Sequence, residues 1–156
     1  MTDEPFLQED FRVLTPEAFD FVLNNELKRA VRSQNYLTLV VVDPQAEGRP
    51  RQDAAREIAQ IVSREIRETD LLSATPDGRL SMVLLDADMQ NSMRVIDRLM
   101  MRLEHYQFST PLAIEVGAAC CPTHGADADT LRRVAEARTG MPRREPGARS
   151  NASNAQ

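Results

Sequence analysis

A charged segment, Arg67-Glu68-Thr69-Asp70, lies five residues ahead of the turn-like segment Pro76-Asp77-Gly78-Arg79-Leu80. The planar guanidinium of an arginine suits bidentate hydrogen bonding to a carboxylate or a phosphate. The same arginine could instead complement the dipole at a helix end and pair with Asp70 at the surface. Ligand recognition and a plain ion pair are therefore the two interpretations of this segment.

Cysteine and histidine occur together in Cys121-Pro122-Thr123-His124. Two ligands are too few for a zinc site. The cysteines Cys120 and Cys121 are adjacent, so they form no disulfide framework, and we expect both to pack at the end of a strand. The sequence predicts no metal site, no cofactor and no catalytic group.

Composition narrows the class of protein. Apolar residues make up 42% and charged residues 28% of the 156, as in globular proteins, and no apolar run approaches the roughly 20 residues of a membrane span. The acidic N-terminus lacks the features of a signal peptide. The net charge of −5 argues against general binding to nucleic acid or anionic lipid. We expect a cytoplasmic protein whose partners are neither nucleic acids nor membranes.

Apolar periodicity predicts four helices and four strands in the order α-β-α-β-β-α-β-α. The first helix begins at Thr15-Pro16-Glu17, which combines a hydroxyl cap, a proline at the first helical position and an acid in the first turn. The predicted helices span 16–32, 53–67, 89–106 and 127–138, and the predicted strands span 37–42, 71–75, 80–85 and 111–119. The first strand should end at Asp43-Pro44, and 45–52 should form a loop.

One domain accounts for most of the chain. We predict an N-terminal arm over 1–13, a domain over 14–139 and a disordered tail over 140–156, which has few large aliphatic residues. The turn at Pro76-Asp77-Gly78 makes two neighbouring strands a hairpin. The sheet should therefore be mixed or antiparallel rather than doubly wound, in an α+β fold with flanking helices.

From about Leu14 to Arg138 the chain resembles a GGDEF domain, the bacterial fold that makes cyclic di-GMP from two molecules of GTP. In that family an RxxD inhibitory site precedes the signature turn by the spacing found here between Asp70 and Pro76. The resemblance implies a ferredoxin-like palm fold.

The signature turn departs from the family pattern. Asp43 matches an aspartate that binds the catalytic metal, but Pro76 and Asp77 replace the two glycines of the turn. Gly78 replaces the second metal-binding carboxylate and Arg79 replaces the next acid. The loop after Asp43 is also shorter than in the family. Because Mg²⁺ and Mn²⁺ require several oxygen ligands, we expect a degenerate site in a protein that is not an enzyme. Asp43 should then be a strand-end or helix-capping residue.

The RxxD motif keeps both of its charged residues. The resemblance implies that Arg67 and Asp70 grip cyclic di-GMP, and that an arginine on the following helix, here Arg98, completes the site. Arg94 lies four residues before Arg98 and shares its helix face. The predicted ligand-binding residues are thus Arg67, Asp70, Arg94 and Arg98.

Three functions are compatible with these residues. The first is a receptor that binds cyclic di-GMP in signal transduction without making it. The second is a docking module that works through contacts with an unidentified protein and needs no ligand. The third is a residual GTP-binding protein. The sequence leaves open whether the chain forms a homodimer.

Overall fold

The computed structural model describes residues 13–46, 48, 50–108 and 112–139. Within them four helices and four strands follow one another in the predicted order. The helices are α1 (Pro16–Ser33), α2 (Arg51–Val62), α3 (Met89–His105) and α4 (Ala128–Thr139), and the strands are β1 (Leu37–Ala46), β2 (Leu71–Ala74), β3 (Leu80–Leu85) and β4 (Leu112–Cys121). The predicted tail over 140–156 and residues 1–12 of the predicted arm lie outside the described residues.

The strands form one sheet in the order β2-β3-β1-β4, and every strand pair is antiparallel. In the β1–β3 pair, Leu37 faces Leu85 and Val42 faces Leu80. The start of β1 and the end of β3 therefore lie at one end of the sheet, and the β2–β3 turn lies at the other. The α+β fold with a central antiparallel sheet is confirmed.

Strand β1 is longer than predicted, since it continues through Pro44 to Ala46. Beyond Val42 the strand pairs with β4 on one side, where Pro44 faces Ile114, while its pairing with β3 has already ended. The carbonyl of Pro44 accepts a hydrogen bond from Nε of Arg51 and so points away from β4. Because the imide nitrogen of a strand residue lies on the same side as its carbonyl, the missing N–H removes no bond to β4.

Helix α2 is shorter than predicted, since it ends at Val62 rather than at Arg67. The chain continues in tight turns, with Glu65 N donating to the carbonyl of Val62 and Asp70 N to that of Arg67. The carboxylate of Asp70 accepts the N–H of Arg67, and such side-chain bonds compete with helix continuation. Arg67 therefore belongs to the α2–β2 connection, and its interpretation as a helix-end residue was wrong.

Each face of the sheet carries a hydrophobic core. Helices α2 and α3 cover the face reached by Val40 and Val42, whereas α1 and α4 cover the face reached by Leu39 and Val41. This alternation explains why β1 reads as a continuous apolar run. Val13, within the predicted arm, is 3% exposed and belongs to the first of these cores.

Helix α4 lies directly on the backbone of β4 at Gly117. A Cβ atom at this position would lie 2.0 Å from the carbonyl oxygen of Ala135 and 2.8 Å from the nitrogen of Thr139. The absence of a side chain is what lets the helix approach this closely. Among the described residues, no helix combines the length and apolar character that crossing a membrane requires.

Candidate functional site

The carboxylate of Asp70 is buried and anchored by the main chain. Its side chain is 3% exposed. One oxygen, Oδ1, accepts the N–H of Leu85 at 3.1 Å, and the other, Oδ2, accepts the N–H of Arg67 at 3.1 Å. Asp70 thereby ties the α2–β2 connection to the end of β3.

The guanidinium of Arg67 is held against this anchor while remaining open to solvent. Its Nε and Nη2 lie 3.4 and 3.3 Å from the Asp70 carboxylate, and Nη2 also donates to the carbonyl of Leu85. The Arg67 side chain is nevertheless 60% exposed. The predicted ion pair is present, but it is not a plain surface pair, because Asp70 is buried.

Two arginines of α3 meet the same connection at Glu65. Nη2 of Arg98 donates to the main-chain carbonyl of Glu65 at 3.2 Å, and its Nε lies 3.6 Å from Oε1. Nε of Arg102 lies 3.2 Å from Oε2. Arg98 thus contacts Glu65, which lies two residues before Arg67 in the sequence. Arg102 was not predicted, although its spacing of four residues from Arg98 could have indicated it.

Arg94, the fourth predicted site residue, bonds within its own helix. Its Nη1 donates to Oδ1 of Asn91 at 3.2 Å. It lies one helical turn before Arg98, and the contact that fixes its side chain is directed toward the start of α3.

At the opposite end of the sheet, Asp43 is enclosed by arginines. The residue is 6% exposed. Oδ1 accepts Nη2 of Arg51, the first residue of α2, and Oδ2 lies 3.5 Å from Nε of Arg79. Arg79 also lies 3.7 Å from Asp77 and 3.5 Å from Glu136. Asp43 is therefore neither a strand end nor a helix cap, and sequence reasoning missed Arg51.

The β2–β3 turn packs against the start of α2. Gly78 has a φ of +91°, and a Cβ there would lie 2.7 Å from Cβ of Arg51. Nε2 of Gln52 donates to the carbonyl of Pro76 at 2.7 Å. Beside the turn is a hollow of about 290 Å³ on the α4 side of the sheet, lined by Val41, Thr75, Pro76, Asp77, Arg79, Ser81 and Glu136.

The cysteines fill space at the end of β4, as expected. Cys120 and Cys121 are both buried. Nδ1 of His124 accepts the N–H of Cys120 at 2.9 Å, and burial, assisted by the charge of Arg138, lowers the pKa of this imidazole. Across the part of the chain that the structure describes, no three histidine, cysteine or acidic side chains gather where they could hold a metal ion.

Comparison with solved structures places this architecture among known folds. The GGDEF domain of TpbB (YfiN) from Pseudomonas aeruginosa superposes with a TM-score of 0.74 at 17% identity, over 85% of each chain. A DGC protein from Thermotoga maritima superposes with a TM-score of 0.74 at 15% identity, over 85% of this chain and 100% of its own.

DgcB from Caulobacter crescentus, whose coiled coil and GGDEF domain were solved in complex with c-di-GMP, has a TM-score of 0.68 at 12% identity, over 83% of this chain and 76% of its own. The sequence matches no protein-family model, and it has no significant match among curated proteins. The likeness is one of structure: the chain has the fold of the GGDEF domains of diguanylate cyclases.

Proposed function

We propose that this protein is a catalytically inactive GGDEF-like domain that acts as a cytoplasmic receptor for cyclic di-GMP in bacterial signal transduction. The observation that carries the proposal is the state of Arg67, whose side chain is 60% exposed while its guanidinium is paired with the buried Asp70. A recognition group that is already oriented loses less conformational entropy when it binds. Exposure and orientation together are what a ligand-binding arginine requires.

A neighbouring arginine extends this surface. Arg98 is 53% exposed and contacts Glu65 in the α2–β2 connection that contains Arg67. Guanidinium groups bind phosphates and the edge of guanine in bidentate fashion. A ligand with two phosphodiesters and two guanines presents both kinds of acceptor. The DgcB structure, solved in complex with c-di-GMP, is of the same fold.

The proposal includes a lack of cyclase activity, and the surroundings of Asp43 support this part of it. Joining two GTP molecules needs a divalent cation with several oxygen ligands. Here the Asp43 carboxylate is already neutralised by Arg51 and Arg79, and the turn offers no carboxylate at Gly78. Incubation with GTP and Mn²⁺, followed by chromatography, should yield no cyclic di-GMP. Product above a no-protein control would contradict this part of the proposal.

Isothermal titration tests the receptor directly. Cyclic di-GMP should bind with micromolar or tighter affinity, about −8 kcal/mol or better. Arg67→Ala should lose about 1.5–3 kcal/mol, because a charge-assisted bidentate contact disappears. Arg67→Lys should also weaken binding, since it keeps the charge and loses the fork. GTP should bind far more weakly than cyclic di-GMP.

Arg133→Ala is the matched control for these titrations. Arg133 is an exposed arginine of α4 whose described interactions are local, with Thr130 of its own helix and with Asp127 just before it. Its removal changes the net charge by the same amount and should leave the affinity unchanged. No heat with the wild type at tens of micromolar ligand, or equal affinity in Arg67→Ala, would reject the receptor.

A ligand-independent docking module is the alternative, and α1 supplies the observation that favours it. Phe21 and Val31 on this helix are 69% and 52% exposed, and Tyr36 just after it is 47% exposed. Large apolar side chains at the surface are common in protein contacts. If this reading is correct, guanine nucleotides should not shift the melting temperature. Phe21→Asp should then abolish capture of a specific partner protein that Arg67→Ala still captures.

A further inference from the structure

Glu65, two residues before Arg67 in the α2–β2 connection, contacts two arginines of α3. Its side chain is 16% exposed, and its carboxylate lies between Arg98 and Arg102, with one oxygen directed at each. The two arginines are much more exposed than the acid they share. Because two arginines share this mostly buried carboxylate, the loss of one of them still leaves it a counterion.

We propose that Glu65 is an internal competitor that holds Arg98 away from the ligand until the ligand displaces it. This inference rests on the proposed function, since it concerns access to the same site. Nε of Arg98 faces Oε1 of Glu65, and Nη2 is bonded to the carbonyl of the same residue. Glu65 thus occupies the Nε–Nη2 edge of Arg98, and a phosphate that takes this edge in bidentate fashion must replace both acceptors.

Arg102 makes this exchange feasible. When Arg98 leaves, Glu65 still has Arg102 at 3.2 Å from its second oxygen. The carboxylate is then not left buried without a partner, an outcome that would oppose binding strongly. Arg102 is thus a positioning residue, because it stays paired with the Glu65 carboxylate while Arg98 binds the ligand.

The two roles predict effects of opposite sign. Glu65→Gln removes the carboxylate that competes for Arg98, together with a negative charge beside a dianionic ligand, and leaves the main-chain carbonyl in place. The affinity for cyclic di-GMP should rise about threefold to tenfold. Arg102→Gln leaves Glu65 dependent on Arg98 alone, so the affinity should fall about threefold.

The double variant Glu65→Gln/Arg102→Gln separates this role from direct contact. If Arg102 acts only through Glu65, its replacement in the Glu65→Gln background should change the affinity by less than about twofold, within the usual error of additive pairs. An Arg102 that touched the ligand would instead weaken binding equally in both backgrounds. Glu104→Gln, at an exposed carboxylate on another face of α3, is the control for the change of net charge.

Titration calorimetry on the full chain, with melting temperatures to verify folding, gives three distinguishable results. Tighter binding by Glu65→Gln, with unchanged binding by Glu104→Gln, supports the competitor. Binding by the wild type that Glu65→Gln leaves equal or weakens overturns the competitor and leaves the receptor standing. No binding by either protein overturns the receptor, and the competitor with it.

Discussion

The two ends of the sheet each bury an aspartate beside arginine, but they stabilise its charge in different ways. Asp70 is anchored by two main-chain N–H groups, and its arginine stays largely exposed. Asp43 is neutralised by the side chains of Arg51 and Arg79, which are 39% and 29% exposed. Along β3 the two ends are about 17 Å apart, at about 3.4 Å per residue.

This difference teaches how an arginine becomes available for recognition. When main-chain N–H groups supply hydrogen bonds to a buried carboxylate, the arginine beside it can stay largely exposed, as the Arg67 side chain does. When guanidinium groups must supply the counter-charge themselves, they are drawn into the fold. The end of the sheet at Arg67 is therefore the one suited to a ligand. At the Arg79 end, the ion pairs of Asp43 hold β1, α2 and the β2–β3 turn together.

The largest expected effect is that of Asp70→Ala. The change leaves the N–H groups of Leu85 and Arg67 without their carboxylate acceptor, and Leu85 is buried. Unsatisfied buried donors cost about 1–3 kcal/mol each, so the free energy of unfolding should fall by about 3 kcal/mol. Urea denaturation measures it. A loss below about 1 kcal/mol would mean that the main chain does not anchor this acid.

Asp43→Ala should have a smaller effect. Arg51 is 39% exposed, so water can solvate it, and the Nε of Arg79 keeps Asp77 at 3.7 Å while its Nη1 keeps Glu136 at 3.5 Å. The expected loss in the same urea experiment is about 1 kcal/mol. Equal losses in the free energy of unfolding for Asp43→Ala and Asp70→Ala would contradict this difference, because the two carboxylates would then stabilise the fold to the same extent.

The smallest expected effect on stability is that of Asp77 in the β2–β3 turn, and it depends on pH. The hydrogen bond from Thr75 is the main cause that lowers the pKa of Asp77 below its usual 3.8, with Arg79 assisting. A carboxyl whose pKa is lowered by folding stabilises the protein above the unfolded pKa, and this contribution is lost as the pH falls through the folded pKa. Asp77→Asn should therefore lower the urea midpoint at pH 7 and lower it less at pH 3. An equal difference at both pH values would show that Asp77 contributes nothing through its charge.

Much of the fold follows from local pattern. Alternating or continuous apolar runs located the strands, and the cap at Thr15 located the start of α1, because these signals depend on neighbouring residues. The end of α2 was missed because Ile66 continues the apolar period, whereas the hydrogen bonds after Val62 already follow tight turns, as from Glu65 N to the carbonyl of Val62. The extension of β1 past Pro44 depends on which neighbouring strand is present, and local sequence does not contain that information.

The candidate site was only partly predictable for the same reason. Arg67 and Asp70 are three residues apart, so their ion pair could be anticipated. The burial of Asp70 requires β3, whose Leu85 is 15 residues away. Glu65 meets Arg98 across 33 residues, and Arg51 reaches Asp43 around the end of the sheet. Such contacts arise from packing between elements, so periodicity within one element does not predict them.

The close contact of α4 with β4 at Gly117 limits which residues position 117 can accept. At Gly117 even a methyl group would enter the space of the Ala135 carbonyl and the Thr139 backbone, both of which belong to a helix that also contributes Leu131 and Ala135 to a core. Helix and strand would have to separate along their whole contact to admit it. In a saturation-mutagenesis library selected for folding, position 117 should therefore retain glycine alone, whereas exposed positions such as Arg133 should accept many residues.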